Sequence, residues 1–340
     1  MYLLDTLYYL YKPVKRADLI SVCSNVARDH KTSKVKIMLD MICSSLFLGA
    51  MWTEYGDLNF YERTWSNRKT FITTFYNFKL YKKLNNLQSR NMFRDKTLFL
   101  QAFSDYVRRA WINIDECPDE EIEKFLRQYR NIVAKASCGD SGKEVEVIAL
   151  SPDDDAKEVT GRLRQQRYNL LEERILNCEE IRMMNPSSLN TLRIVTVRNE
   201  KKTEILFAGI RIGGENAKID NISQGGRVAR IDIETGKIDS PFYFKASSHS
   251  AGGSDQLNAI GFQIPMWAQV IETVKKAALV VPDVRIIAWD VAVTPYGVEL
   301  VEGNESFGSV VMQLYYQSSE VGLKPRLLEM IDADVLKMHK

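Results

Sequence analysis

The chain has 340 residues, with 46 Lys and Arg against 44 Asp and Glu and a formal net charge of +2. That length can bury the cores of two or three subdomains, and so balanced a charge gives no reason to expect a nucleic-acid partner. The five cysteines, Cys23, Cys43, Cys117, Cys138 and Cys178, are scattered without Cys-x-x-Cys or Cys-His spacing, which indicates neither a disulfide framework nor a zinc site and fits a reducing cytoplasm.

The charge is unevenly placed. Residues 1–110 hold 18 Lys and Arg against 9 Asp and Glu, leaving 28 against 35 for the remainder. Such asymmetry marks either a surface for acidic partners or a solvated helical face. Met1 to Leu10 has no positive leader and no small-residue cleavage pattern, so no signal peptide is expected. The apolar run Ile37 to Trp52 is interrupted by Asp40 and falls short of the roughly 20 residues a bilayer span needs. A cytoplasmic protein is expected, with at most peripheral membrane contact through the aromatic, basic stretch Phe71 to Lys83.

Residues 1 to about 125 lack clear strand signals and carry helix-compatible runs at Lys34–Leu48, Arg68–Leu87 and Asp119–Arg130. Asn131–Ala136 and Glu144–Leu150 read as two β segments joined by the loop Ser137 to Lys143, which has two glycines and several exposed backbone N–H groups. The charged stretch Ser151–Gln166 reads as a short helix. Strands are expected at Tyr168–Leu176, Thr191–Arg198 and Ile205–Gly213. Pro265–Val280 reads as an amphipathic helix with proline in its first turn. A helical part followed by two α+β portions implies a cleft between subdomains.

The last pair of strands carries the most information. Trp289 to Asn304 reads as a hairpin turning at Pro295-Tyr296-Gly297. With Tyr296 at its tip, Asp290 faces Glu302, and the alternation of side chains puts Asn304 on the same surface. Facing carboxylates repel unless a cation lies between them, and hard oxygen ligands suit Mg2+ carrying phosphates. A surface hairpin with solvated acids is the competing reading, but the apolar neighbours Ile287, Ala288, Trp289, Val291, Leu300 and Val301 argue for burial. Lys135 sits on the first of the two β segments and is followed at once by the glycine-bearing loop, which is either an ordinary hairpin loop or, with the Lys135 ammonium and the loop amides, a phosphate site that is not a Walker loop. Arg193 and Arg211 lie within otherwise apolar strands, where each needs an anionic partner, either a structural acid or a phosphate or carboxylate ligand. Asn221 to Gly226 is a polar turn with paired glycines, suited to close backbone approach by a ligand or to an ordinary turn.

In this order the segments resemble the ATP-grasp enzymes, specifically the branch associated with sugar transfer and polysaccharide clusters. The resemblance runs from about Lys96 to Gln313. It is carried by Asn185-Pro186-Ser187-Ser188-Leu189-Asn190-Thr191-Leu192-Arg193, Asp220-Asn221 with Gly225-Gly226, Ile231-Asp232 with Thr235-Gly236, and Trp289-Asp290 leading to Val301-Glu302-Gly303-Asn304. It implies an α+β ATP-grasp fold in which two α+β subdomains, 96–180 and 181–325, clasp ATP. A helical part, 1–95, precedes them and a tail, 326–340, follows.

The same resemblance assigns roles. Lys96 and Lys135 look like the two ATP-binding lysines, and the Ser137–Lys143 loop, with Ser141 and Gly142, like the phosphate lid. Glu172, Glu173, Arg174 and Ile175 look like the adenine-binding segment, and Glu179 like the ribose acid. Asp290, Glu302 and Asn304 match the magnesium ligands. Arg193 and Arg211, with Lys135, resemble the groups that meet the γ-phosphate or an acyl phosphate. Asn221, Gly225, Gly226 and His249 are candidates to touch substrate, although the His249 loop matches only loosely. Residues 1–95 do not read as the α/β pre-domain common among such ligases. The implied reaction is ATP-dependent carboxylate–amine ligation on a sugar, glycan precursor or amino-acid-like metabolite. A phosphotransferase on the same scaffold and a nucleotide-binding module without turnover are the alternatives.

Overall fold

The computed structural model describes residues 2–138, 145–214, 217, 220, 225–244, 259–315 and 321–331. Among the described residues eight α-helices precede the first strand: α1 (Leu3–Tyr11), α2 (Pro13–Asp29), α3 (Lys34–Cys43), α4 (Trp52–Asp57), α5 (Trp65–Arg68), α6 (Thr74–Leu84), α7 (Asn91–Arg94) and α8 (Lys96–Ala102). The expected run Arg68–Leu87 is thus broken by a non-helical stretch before α6. Within Phe71–Lys83 the rings of Phe71, Phe75 and Tyr76 are buried in the core, whereas Phe78 is exposed beside Lys79, Lys82 and Lys83. Among the described residues no helix is long and apolar enough to cross a membrane.

A four-stranded antiparallel sheet follows, in the order β1-β4-β2-β3, from β1 (Trp111–Asn113), β2 (Asn131–Lys135), β3 (Val145–Ala149) and β4 (Leu170–Glu173). Strand β1 falls where no strand was expected, since three residues are too few to show an alternation. One face of this sheet is covered by α9 (Asp119–Gln128) and α10 (Ala156–Gln165). Helix α9 has three acids in its first turn and buries Ile122, Phe125 and Leu126 at helical spacing. Helix α10 is capped by Asp155, whose carboxylate accepts from the Lys157 amide at 2.8 Å.

After α11 (Glu179–Arg182) comes a five-stranded antiparallel sheet in the order β7-β6-β5-β8-β9. Its strands are β5 (Thr191–Arg198), β6 (Thr203–Ile212), β7 (Arg227–Arg230), β8 (Ile286–Thr294) and β9 (Gly297–Asn304), with α12 (Trp267–Ala277) between β7 and β8, and α13 (Ser309–Gln313) and α14 (Lys324–Met330) after β9. Helix α12 begins two residues after Pro265, which lies outside it rather than in its first turn. Leu192, Ile194, Trp289, Val291 and Leu300 on one face pack with α12 and with Phe93, Phe99 and Phe103; Val195, Val197, Ile286 and Ala288 on the other pack with residues of α6, α13 and α14. Burial on both faces explains why β8 reads as an almost unbroken apolar run interrupted only by Asp290.

The hairpin register reaches the expected pair by a different route. Thr294 faces Gly297, so the turn is the two residues Pro295-Tyr296 and the tip lies between them, not at Tyr296. With that turn alone Asp290 would face Val301. A bulge makes Val301 the extra residue, pairing Val291 with Leu300 and Asp290 with Glu302. Gly303 is required by its surroundings: a Cβ there would come within 2.8 Å of the Phe93 ring and 2.9 Å of the Phe99 ring.

Candidate functional site

Directly paired residues on neighbouring strands point to one face, and the large sheet carries one row of them: Arg230, Gly209, Arg193, Asp290 and Glu302, from β7 to β9. Asn304, paired with Ala288, lies one step along β9 on the same face. The rest of the Asn304 row is apolar, where Val195 and Ala288 meet the helices.

Asp290, 6% exposed, is met by two guanidinium groups. Nε of Arg193 lies 2.8 Å from its Oδ1 and Nη2 of Arg211 lies 3.0 Å from its Oδ2. The Arg193 Nε and Asp290 Oδ1 are close without hydrogen-bond alignment, so each keeps unused capacity. Arg211 also reaches Asp220 at 3.3 Å and Oγ1 of Thr191 at 2.7 Å, while the Thr191 amide donates to Asp220 at 3.0 Å. The repulsion between facing acids is therefore relieved on the Asp290 side by guanidinium groups. Glu302 makes no ion pair or hydrogen bond among the described residues. Burial and then Asp290 raise its pKa, against a smaller opposing pull from Lys135, Lys96 and Arg193. Burial raises Asp220 as well, with Arg211 opposing. Burial and the neighbouring Arg211 lower the Arg193 pKa, whereas Asp220, Asp290 and Glu302 outweigh burial and raise that of Arg211.

The small sheet presents a second charged group. Lys135, 8% exposed, places its Nζ 2.9 Å from Oε2 of Glu172, and Nε of Arg109 lies 3.1 Å from the same oxygen. Arg109 continues to Glu299 on β9, Nη1 to Oε1, at 2.6 Å. Burial would raise Glu172, but Arg109 and Lys135 hold its carboxyl down at about 2. Burial lowers the Lys135 pKa, with Glu172 opposing and Arg109 reinforcing. One chain of charges thus joins β2, β4, β9 and the segment before β1.

Lys96 opens α8, half-buried, and its amide donates to the Ser137 carbonyl at 2.9 Å. Glu173 accepts from the Ala110 amide at 3.2 Å, and the Arg174 amide donates to the Asn131 carbonyl at 3.0 Å. Arg174 and Ile175 are half-buried just past β4. Glu179 is an exposed residue of α11, ion-paired with Arg182 at 2.6 Å, and it makes no ion pair or hydrogen bond to the other candidates among the described residues. Gly225 has φ +87°, a conformation that favours glycine, and Gly226 is buried. Ser141, Gly142, Asn221 and His249 lie outside the described residues. The structure brings Lys135, Arg193, Arg211, Asp290, Glu302 and Asn304 onto the charged faces of two sheets that Arg109 connects. Among the described residues no three His, Cys, Asp or Glu side chains form a metal cluster; the oxygen set on β8 and β9 is two carboxylates and one amide.

Arg109, Glu299 and Asp220 have no assigned role in the sequence reading. Each carried some signal, and Asp220 lies in one of the segments that carry the resemblance. Glu299 sits between Val298 and Leu300 in an apolar strand, and a buried acid there demands a cation. Arg109 stands just ahead of the apolar Trp111-Ile112, yet nothing in its own neighbourhood says which acid it meets.

The sequence of residues 76–332 matches the family described as sugar-transfer associated ATP-grasp. The chain belongs to that family. The ATP-grasp fold and the α+β class with a helical N-terminal region follow from membership, and ATP-grasp enzymes use ATP and Mg2+. No curated protein matches this ATP-grasp chain in sequence. Solved structures similar to it include the ATP-grasp ligase PsnB complexed with a minimal precursor, at 14% identity and TM-score 0.42, covering 73% of this chain and 62% of that one. The D-alanine-D-alanine ligase from Coxiella burnetii is 12% identical with TM-score 0.45, covering 75% and 62%. D-alanyl-alanine synthetase A from Vibrio cholerae is 11% identical with TM-score 0.44, covering 71% and 65%. The chain therefore spans about three-fifths of the length of the first two of these structures.

Proposed function

We propose that this ATP-grasp chain is an ATP-dependent carboxylate–amine ligase working through an acyl phosphate. Its substrate on this reading is a sugar, glycan precursor or amino-acid-like metabolite in the cytoplasm. The observation that carries the reading is the cross-strand row Arg193, Asp290, Glu302, backed by the buried Lys135 on the other sheet. We assign residues 96–180 and 181–325 to the two ATP-clasping subdomains, 1–95 to the helical part before them and 326–340 to a tail.

The residues fit a divalent cation. Asp290 and Glu302 offer opposed carboxylates, and among the described residues Glu302 lacks an ion-pair partner and the buried Nδ2 of Asn304 lacks a hydrogen-bond partner. Its amide thereby offers an oxygen for the cation and a donor for phosphate. Bound Mg2+ would supply Lewis-acid stabilisation of charge on the transferring phosphoryl group.

In the first step a carboxylate oxygen attacks the γ-phosphorus, the bond to the β–γ bridging oxygen breaks and ADP leaves. In the second an amine attacks the acyl carbon, inorganic phosphate departs and the nitrogen loses a proton. Lys135 and Lys96 are assigned to the phosphates of ATP. Arg193 and Arg211 are assigned to the transferring phosphoryl group, oriented by Asp290 and Asp220, so that positioning and electrostatics provide the catalysis. The segment Glu172 to Ile175 is assigned to adenine through its backbone, with Glu179 as the ribose acid. Gly225 and Gly226 are assigned to the substrate side with Asn221 and His249.

The test is ADP release across uronic acids, sugar nucleotides and amino acids, with hydroxylamine as trap. An acyl phosphate yields a hydroxamate, whereas direct transfer to a hydroxyl yields none. Mg-ATP binding without ADP release for any acid and amine pair would reject the ligase assignment.

A further inference from the structure

The segment between α8 and β1 contributes one residue whose connections exceed what a structural ion pair requires. The Arg109 side chain is 2% exposed and bridges the two sheets. Toward the small sheet its Nε lies 3.1 Å from Oε2 of Glu172 and its Nη2 donates to Oε1 at 3.3 Å. Toward the large sheet Nη1 donates to Oε1 of Glu299 at 2.6 Å and to the Leu300 carbonyl at 2.8 Å, and Nη2 donates to the Val301 carbonyl at 3.0 Å. The Arg109 amide also donates to Oε1 of Glu299, at 3.2 Å.

Those two carbonyls sit at the bulge. Val301 is the residue that opposes nothing on β8, and it alone brings Glu302, not Val301, opposite Asp290. A strand that slips by one residue sends its side chains to the opposite face. The geometry points to Arg109 as a positioning residue. It holds the bulge that sets the phase of Glu302 and Asn304, and through Glu172 it fixes the ammonium of Lys135, so the cation ligands and the phosphate-binding lysine keep a set distance from each other. This inference rests on the roles proposed above for Asp290, Glu302, Asn304 and Lys135.

Only a planar five-donor fork serves this set of acceptors. Lysine keeps the charge but has three donors on one atom and cannot reach two carboxylates and two carbonyls in separate directions. The experiment is a titration of ATP into the full chain with EDTA and again with Mg2+, giving the factor by which the cation tightens nucleotide binding. R109K is expected to unfold cooperatively like the parent while losing about tenfold of that factor, the scale on which residues supporting metal ligands act. E299Q, which weakens the anchor without touching Glu172, is expected to lose a smaller part of that factor than R109K and gives a second reading should R109K fail to fold. Retention of the parental factor by either folded variant overturns the positioning role. A parent chain that binds ATP no better with Mg2+ than with EDTA overturns instead the cation site on which the inference rests.

Discussion

The two charged faces differ in their internal balance. On the small sheet and its bridge, Lys135 and Arg109 meet Glu172 and Glu299, two cations for two carboxylates, with each acid in direct ion-pair contact. On the large sheet Arg193 and Arg211 meet Asp220 and Asp290, and Glu302 is left over with its pKa raised by burial and by Asp290. The first face is complete as it stands. Among the described residues the second has one carboxylate more than its two ion-pairing guanidinium groups, a place for a further cation. A buried network that closes on itself fixes geometry, and one that does not is poised to take a ligand.

The largest break in this contrast is expected from Glu302→Gln. It removes the surplus carboxylate and no ion pair among the described residues, so ADP release should fall by about a hundredfold or more while the unfolding transition stays near that of the parent. Asp290→Asn is the opposite case, because it strips a shared counter-charge from Arg193 and Arg211. A stability loss of about 3 kcal/mol is expected in chemical denaturation, together with loss of activity. Mg2+ added to the nucleotide-bound chain should stabilise the fold by about 2.7 kcal/mol at a hundredfold excess over its Kd, read as a rise in melting temperature; Glu302→Gln should abolish the shift.

The smallest effects are in pH. The Glu302 pKa is raised in the fold, so the native state holds a proton that the unfolded state has given up. The cation-free chain should therefore lose stability as pH rises from the ordinary carboxylate value toward the raised one, while cation affinity climbs over the same interval. Glu172 has the opposite sign. Held at about 2, it stabilises the fold above its ordinary pKa, and that contribution is lost as pH falls toward 2. Denaturation of Glu302→Gln and Glu172→Gln across pH separates the two slopes.

Much of this was legible in the chain because the relevant strands are buried on both faces. Thr191–Arg198 was placed to the residue, since an apolar, β-branched run bounded by polar turns has few alternative readings. Asp290 facing Glu302 was also legible, although the assumed tip at Tyr296 was wrong. The two-residue turn and the bulge each move the register by one, and a sequence records neither separately. β1 and β7, three and four residues long, left too little pattern to read. The acids that meet Arg193 and Arg211 could be demanded from burial but not named. Arg109 shows why: its partners are 63 and 190 residues away, and only the docking of one sheet against the other selects them.

Gly303 gives the helical prelude a further meaning. The rings of Phe93 and Phe99 press on the back of β9 directly between Glu302 and Asn304, Asn85 donates to the carbonyls of Ile286 and Glu305, and Arg90 pairs with Glu305 just past the strand. The family match itself begins at residue 76, inside α6. The helices ahead of Lys96 thus act as a splint behind the acid-bearing strand. A shortened chain starting at Lys96 would keep every candidate ligand and the Phe99 ring but lose Phe93, Asn85 and Arg90, which help to keep that strand aligned.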